Sequence, residues 1–399
     1  MDSNRAGADP SGAMRNVRAL GWVSLLTDAS SEAVYPVLPL FLANVLGAPV
    51  AIIGVIESLA EATASFMKVF SGWLSDRLGR RRPLVLAGYS LSNLAKPFFA
   101  LAGSWQAVLA LRVTDRLGKG VRTAPRDALI ADSCTESDRG AAFGLHRALD
   151  TAGAAIGPLA AWLILSLAPD GYRLVFLLSA LPGVAAIMLV LLAVRERKPP
   201  SECETPGAPM RLRGLGRPFA LFTAIAAVFA LGNSSDAMLV LRAQDLGAPA
   251  ATVPLMYFVF NVVGASLSSR FGKRSDEVGR RRVLIAGFAL YALVYAGFAA
   301  ASEAWMPWVL FAAYGVPYAL TEGMTRAFVV DLVPPQVRAT ALGGFTFVMG
   351  LAALPASTLA GVLWDQVSHS APFALSAVLM AVSVAALYAL RRLVEPSAA

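Results

Sequence analysis

Twelve apolar runs, each long enough to cross a bilayer as a helix, dominate this chain of 399 residues. They lie near 19–46, 50–74, 83–103, 106–131, 141–166, 173–194, 218–243, 250–271, 283–301, 305–332, 340–364 and 371–390, each bounded by charge, Pro or Gly. A span needs about 20 mostly apolar residues, because in hydrocarbon every backbone polar group must be satisfied within the segment. The runs therefore predict an all-α polytopic membrane protein. With 57% of residues hydrophobic and 15% charged, the composition speaks against a soluble enzyme and a disordered chain alike. The fourth and tenth runs carry charge; removing both would leave ten and keep the count even.

The basic residues set the orientation. One set of connectors holds Arg77, Arg80, Arg81 and Arg82, then Arg139, the stretch Arg195 to Arg217, Lys273 to Arg282, and Arg338; the alternate connectors hold almost none. By the positive-inside rule both termini are expected in the cytoplasm, in a cell membrane of the bacterial inner-membrane type. The same asymmetry accounts for the net charge of +8, so no nucleic-acid partner is required. Met1 to Arg18 lacks the apolar core of a signal peptide and reads as a cytoplasmic tail. Two cysteines and two histidines supply neither a disulfide framework nor an evident zinc site, and no cofactor is expected.

The chain repeats itself. Gly72-Trp73-Leu74-Ser75-Asp76-Arg77-Leu78-Gly79-Arg80-Arg81-Arg82 returns as Gly272-Lys273-Arg274-Ser275-Asp276-Glu277-Val278-Gly279-Arg280-Arg281-Arg282, an offset of 200. Leu46 to Pro49 returns as Leu246 to Pro249 at the same offset. Ser30-Ser31-Glu32 matches Ser234-Ser235-Asp236 at 204, which makes Asp236 the expected counterpart of Glu32; Asp132 and Arg139 return as Asp331 and Arg338 at 199. The expected organisation is a tail (1–18), a six-helix bundle (19–194), a linker (195–217), a second bundle (218–390) and a tail (391–399). Two such bundles related by an axis along the membrane normal describe a common transporter architecture, with its substrate between the halves near the midplane.

Gly72 to Arg82 resembles the loop signature of the major facilitator superfamily at every defined position, between spans two and three. The resemblance covers the whole chain and implies twelve helices in two pseudo-symmetric bundles. It also implies a cytoplasmic gate in which Asp76 holds an arginine such as Arg80, supported by Gly72, Arg77 and Gly79, with Asp276 and Arg280 in the second copy. That network closes the cytoplasmic side and breaks on inward opening. Arg116 to Gly120 is similar to a second family motif, with Lys119 in place of the usual Gln. Gly153-x-x-x-Gly157-Pro158 is similar to the antiporter signature, although such spacing also serves plain helix packing.

Charges inside a membrane are costly and usually mark a pathway. Here they fall at helical spacing: Asp28 and Glu32; Glu57, Glu61 and Lys68; Arg112, Arg116, Lys119, Arg122 and Arg126; Glu322 and Arg326. Asp28, Glu32, Glu61 and Asp236 are the candidates for proton coupling. Arg116, Arg122 and Arg126 are the candidates for an anionic substrate group, with Glu322 and Arg326 opposite. His146 is expected to be a packing residue.

These features point to a secondary transporter working by alternating access as a monomer, with a small solute, protons and the bilayer as partners. Efflux by antiport is favoured over proton-coupled uptake of an anionic metabolite. A membrane-embedded enzyme or a non-transporting sensor are the competing classes, and neither a nucleotide-binding loop nor a hydrolase or zinc-protease motif occurs in the sequence.

Overall fold

The computed structural model describes residues 10–134, 138–196, 215–334 and 337–389. The first nine residues, most of the 195–217 linker, the 391–399 tail and the side chain of Asp276 lie outside the described residues. Every regular element among the described residues is helical.

The helices follow the expected spans in register. The first half runs α1 (Pro10–Val34), α2 (Leu38–Asn44), α3 (Val50–Leu78), α4 (Arg82–Phe98), α5 (Trp105–Asp132), α6 (Arg139–Leu167), α7 (Tyr172–Leu178) and α8 (Ala180–Ala193). The second runs α9 (Arg217–Gly232), α10 (Asp236–Asp245), α11 (Val253–Val278), α12 (Arg280–Ala300), α13 (Met306–Asp331), α14 (Arg338–Gln366) and α15 (Ala371–Ala389). The pairs α1–α2, α7–α8 and α9–α10 are each one span with a break, so the fifteen α-helices among the described residues make twelve spans. Among the described residues, eight spans are long and apolar enough to cross a membrane. The spans that fall short are α1–α2, α5, α11 and α13, and three of these four carry the intramembrane charge rows. Charge lowers the hydropathy of α1, α5 and α13, whereas α11 falls short in length, its apolar stretch of described residues being Val253–Ser268.

Local chemistry sets the breaks. Pro36 has no N–H to donate and interrupts the first span between Val34 and Leu38. In the seventh span Ser235 caps α10, its Oγ accepting the Ala237 N–H at 3.3 Å. The short helices α2 and α10 end at Gly47 and Gly247, with φ of 60° and 93°, a left-handed turn that a side chain resists. Gly79 and Gly279 repeat this after α3 and α11, at 60° and 95°. Both pairs are 200 residues apart, and so are Tyr35 and Ser235, whose hydroxyls meet at 3.4 Å between the halves. At this offset Asp236 falls opposite Pro36. The expected pairing of Asp236 with Glu32 is therefore corrected: Asp236 opens the short helix after the break, whereas Glu32 closes the long helix before it.

Two seams join the halves: α3 lies along α14, and α6 along α11. Away from the basic connectors the first seam is tight. Asp365 accepts the Val50 and Ala51 N–H groups at 3.2 and 2.8 Å, so a carboxylate of one half caps a helix of the other. Gly54 sits directly on the Ser357 backbone, and Thr358 donates its N–H to Ser58 Oγ at 3.2 Å. Close backbone approach and hydrogen bonds are what hold helices together where lipid removes the hydrophobic drive. A buried aromatic and aliphatic cluster that includes Phe41, Phe176, Met238 and Phe298 fills the same end. Further toward the basic end Phe66 still meets Phe347 across the seam, with ring centroids 5.4 Å apart, and Phe70 and Trp73 beyond it are about half exposed.

Candidate functional site

The first half supplies a ladder of charge. Arg112 donates from Nε and Nη2 to both oxygens of Glu57, at 3.0 and 2.9 Å, with both side chains buried. Asp115 lies 3.5 Å from Arg112 and 3.7 Å from Arg116, and accepts the Ser92 hydroxyl at 2.6 Å. Arg116 also approaches Glu61 at 3.7 Å. Both guanidinium groups lie over the Tyr35 ring, 5.2 and 5.8 Å from its centroid. Paired geometry of this kind offsets the desolvation that buried charges would otherwise suffer. Glu61 is the exposed end of the ladder, with 46% of its side chain open to the chamber.

Helix packing builds a second cluster. Gly153 and Gly157 of α6 seat directly on α1, where a Cβ at Gly157 would lie 2.7 Å from the Ala29 carbonyl oxygen; at Gly153 it would collide with Leu25. The antiporter-like glycines thus serve here as a contact between α1 and α6. That closeness lets Ser24 donate to Asp150 at 2.7 Å and brings the carboxyl of Asp28 within hydrogen-bonding reach of Asp150. Arg147 stands 3.3 Å from the other oxygen of Asp150 and extends to Glu322 on α13, 3.6 Å away. Glu32, one turn beyond Asp28, lies within the field of Lys119, Arg116 and Arg112.

The second half answers with tyrosines. Asp236 accepts the hydroxyls of Tyr314 and Tyr257 at 2.8 and 3.2 Å. Tyr291, Tyr295 and Phe260 pack edge-on or tilted around Tyr314, with centroids 5.0 to 6.1 Å apart. Ser235 Oγ lies 3.5 Å from Glu57, which joins the tyrosine wall to the charge ladder.

Lys68, Lys119 and Arg326 have no ion pair among the described residues. Arg122 is buried with its guanidinium 4.3 Å above the Tyr89 ring, and its Nε and Nη1 have no hydrogen-bond partner. Of the arginines expected to bind an anion, Arg116 is already matched by Asp115 and Glu61, and Arg126 forks onto its neighbour Asp127 at 2.9 and 2.8 Å. Sequence reasoning missed Lys96, which is 1% exposed and donates to Asn93 Oδ1, Ser30 Oγ and the Thr27 carbonyl at 2.8, 3.2 and 3.4 Å. A lone charge inside the apolar run 83–103 was the available signal.

A sequence profile described as Major Facilitator Superfamily matches residues 20–274 and 219–399. The chain belongs to the major facilitator superfamily. An uncharacterised MFS-type transporter of Methanocaldococcus jannaschii is 36% identical over 375 residues, 92% of this chain and 93% of that protein. The multidrug resistance protein MdtG of Enterobacter lignolyticus is 26% identical over 68% of each chain. Among solved structures, a POT family transporter in complex with 5-aminolevulinic acid superposes with a TM-score of 0.80 at 12% identity, over 96% of this chain and 97% of that one. Family and fold are those of membrane-spanning, multi-pass transporters of small solutes.

Asp76, Arg77 and Arg80 are exposed, and Asp76 makes no ion pair with Arg80 among the described residues. Arg77 instead lies 5.5 Å over the Trp73 ring. The arginine that is held is Arg81, 2.7 Å from Asp132, and Arg280 repeats it on Asp331 at 2.6 Å. Both partners shift by 199, one short of the motif's own offset of 200, so each half holds one arginine of its motif on the carboxylate that ends α5 or α13. Glu196 further accepts the Arg81 and Arg82 N–H groups at 2.9 and 3.0 Å. Gly79 makes the left-handed turn that ends α3. At Gly72 a Cβ would stand 3.4 Å from Ala124, an ordinary contact, whereas at Gly120 it would stand 2.6 Å from Met67.

Proposed function

We propose that this chain is a proton-coupled carrier that exports a small organic solute by alternating access, with the basic end in the cytoplasm. The observation that carries the reading is the Asp28–Asp150–Arg147–Glu322 chain, in which a carboxyl pair is tied to the opposite half through one guanidinium. Two carboxyls this close are best satisfied by sharing one proton. Losing that proton leaves two negative charges on Arg147, which strengthens its hold on Asp150 and weakens its hold on Glu322. Proton occupancy is thereby converted into a change at the interface between the halves. Glu32 and Glu61 extend the path toward the chamber, and Asp236, held by two tyrosines, closes it on the far side.

The seal at Asp365, at the end away from the basic connectors, supports an inward-open state under this orientation. The free Asp76 agrees with a gate that has opened. Export is favoured by the likeness to a multidrug resistance protein.

The test is proton movement in proteoliposomes carrying an internal pH dye. In wild-type vesicles with an imposed pH gradient, a transported solute should accelerate the collapse of the gradient. Asp28→Asn and Asp150→Asn should abolish the acceleration while protein insertion stays normal. Solute flux that ignores the pH gradient, or variants that still couple, would overturn the proton assignment.

A further inference from the structure

Between α9 and α14, at the basic end, the surface opens into a groove of about 540 Å³. Arg217, Phe219, Ala220, Thr223, Gly344 and Val348 line it, and no acidic residue is among the described residues that do. Arg217 is exposed and makes no ion pair among the described residues. It opens α9, a helix of 16 residues that follows Gly216 at φ 89° and has no side-chain cap. Pro218 has no N–H, so the Arg217 and Phe219 N–H groups are first-turn donors without a partner inside the helix. A helix start of this kind favours a negative group. Deeper in the wall Thr223 is 8% exposed, and its Oγ has no hydrogen-bond partner. It stands roughly 9 Å from Arg217 along the helix, at about 1.5 Å per residue.

The face of α14 that borders the groove is turned to lipid. Gly344 and Val348 continue as Leu351, Pro355 and Leu359, at the i, i+4, i+7, i+11, i+15 spacing of one helix face. Leu351 and Leu359 are 51% and 43% exposed, and Pro355 is exposed beside them. Other faces of α14 are taken: Phe345 lies in a core of the second half, and Phe347 and Gly350 meet Phe66 and Ser65 of α3. A cation with free N–H donors at the mouth, a hydroxyl below it and an apolar stripe beyond follow the order of groups in a phospholipid.

We propose that this groove binds an anionic phospholipid of the leaflet at the basic end. Its phosphate lies against Arg217 and the start of α9, its ester region beside Thr223, and one acyl chain along Val348 and Leu351. Basic pockets between spans recognise lipid headgroups through the same chemistry. The site lies apart from the charge ladder and the tyrosine wall, and it stands whichever solute is carried.

The full-length chain, purified in a neutral detergent, is titrated with dioleoylphosphatidylglycerol, dioleoylphosphatidylcholine or sn-glycerol 3-phosphate, and its melting temperature is read at fixed ionic strength. Phosphatidylglycerol should raise it, and the zwitterionic lipid and the soluble phosphate should not. Arg217→Gln should weaken phosphatidylglycerol about tenfold, as expected for one charged hydrogen bond. Arg217→Lys should retain most of the affinity, which separates a charge requirement from a folding defect. Val348→Trp, which fills the groove without touching a charge, should weaken the lipid at least as much. Arg195→Gln removes an exposed arginine at the same end outside the groove, and should bind as the wild type does. Equal stabilisation by phosphatidylcholine, or wild-type affinity in both Arg217→Gln and Val348→Trp, would overturn the proposal. An equal loss in Arg195→Gln would also overturn it, by showing diffuse attraction in place of a site. Stabilisation by glycerol phosphate that depends on Arg217 would reassign the groove to a soluble anion and reject the lipid.

Discussion

Arg147 and Glu322 face each other across the two halves at 3.6 Å, and the same guanidinium holds Asp150 at 3.3 Å. Arg147 is 62% exposed and Glu322 38%, so the pair is wet and weak on its own, worth up to about 1 kcal/mol. A contact of that strength can form and break once in every cycle. Glu322→Gln should shift the balance between open and closed forms by about fivefold at most, without lowering the melting temperature measurably. Distances between spin labels across the basic end would report the shift. An unchanged distribution would remove Glu322 from the coupling path.

Asp365 ties the two halves at the sealed end by satisfying two helix N-terminal donors of the other half. Losing such a cap costs about 1 kcal/mol. Asp365→Ala should therefore raise the population open at that end about fivefold. The measurement is the labelling rate of a cysteine placed at Ser58, which is 2% exposed in the seam, by a membrane-impermeant maleimide. The native Cys134 and Cys203 are replaced in that background. A rate equal to that of the parent would show that the seal does not depend on this cap.

The α1–α6 contact is a packing requirement with a chemical consequence. Gly157→Ala places a methyl group 2.7 Å from the Ala29 oxygen and the Ala33 nitrogen, and relieving that overlap should cost about 1–3 kcal/mol. The melting temperature should fall, and the proton-coupled signal should weaken because Asp150 moves away from Ser24 and Asp28. A normal melting temperature would mean that the two helices tolerate a wider spacing.

Much of this arrangement was legible in the sequence. Helix length, the duplication and the inward stripe of α5 follow from periodicity and from the cost of charge in lipid, both of which act locally. The Gly47–Gly247 and Gly79–Gly279 pairs were visible because a left-handed turn demands a particular residue. Partner choice was not legible, since it depends on which helices touch. Arg81 read as a topology anchor until the fold set it on Asp132, and Arg116 read as a free anion ligand until Asp115 and Glu61 surrounded it. Asp115 itself was hidden among the cations that it neutralises. Asp236 was aligned with Glu32 by a three-residue likeness, and the break in the seventh span, which begins after Gly232 where the first span breaks after Val34, moved it to another place.

The whole account requires two bundles that rock about the chamber, opening one end as the other seals. Spin-label pairs test this directly: Leu78 with Val278 at the basic end, and Val45 with Val367 at the sealed end, all four being exposed positions. Titrating pH across the range in which proton coupling operates should shorten the first distance while the second lengthens. If both distances stay fixed, or change together in the same sense, the protein does not alternate access between the two sides.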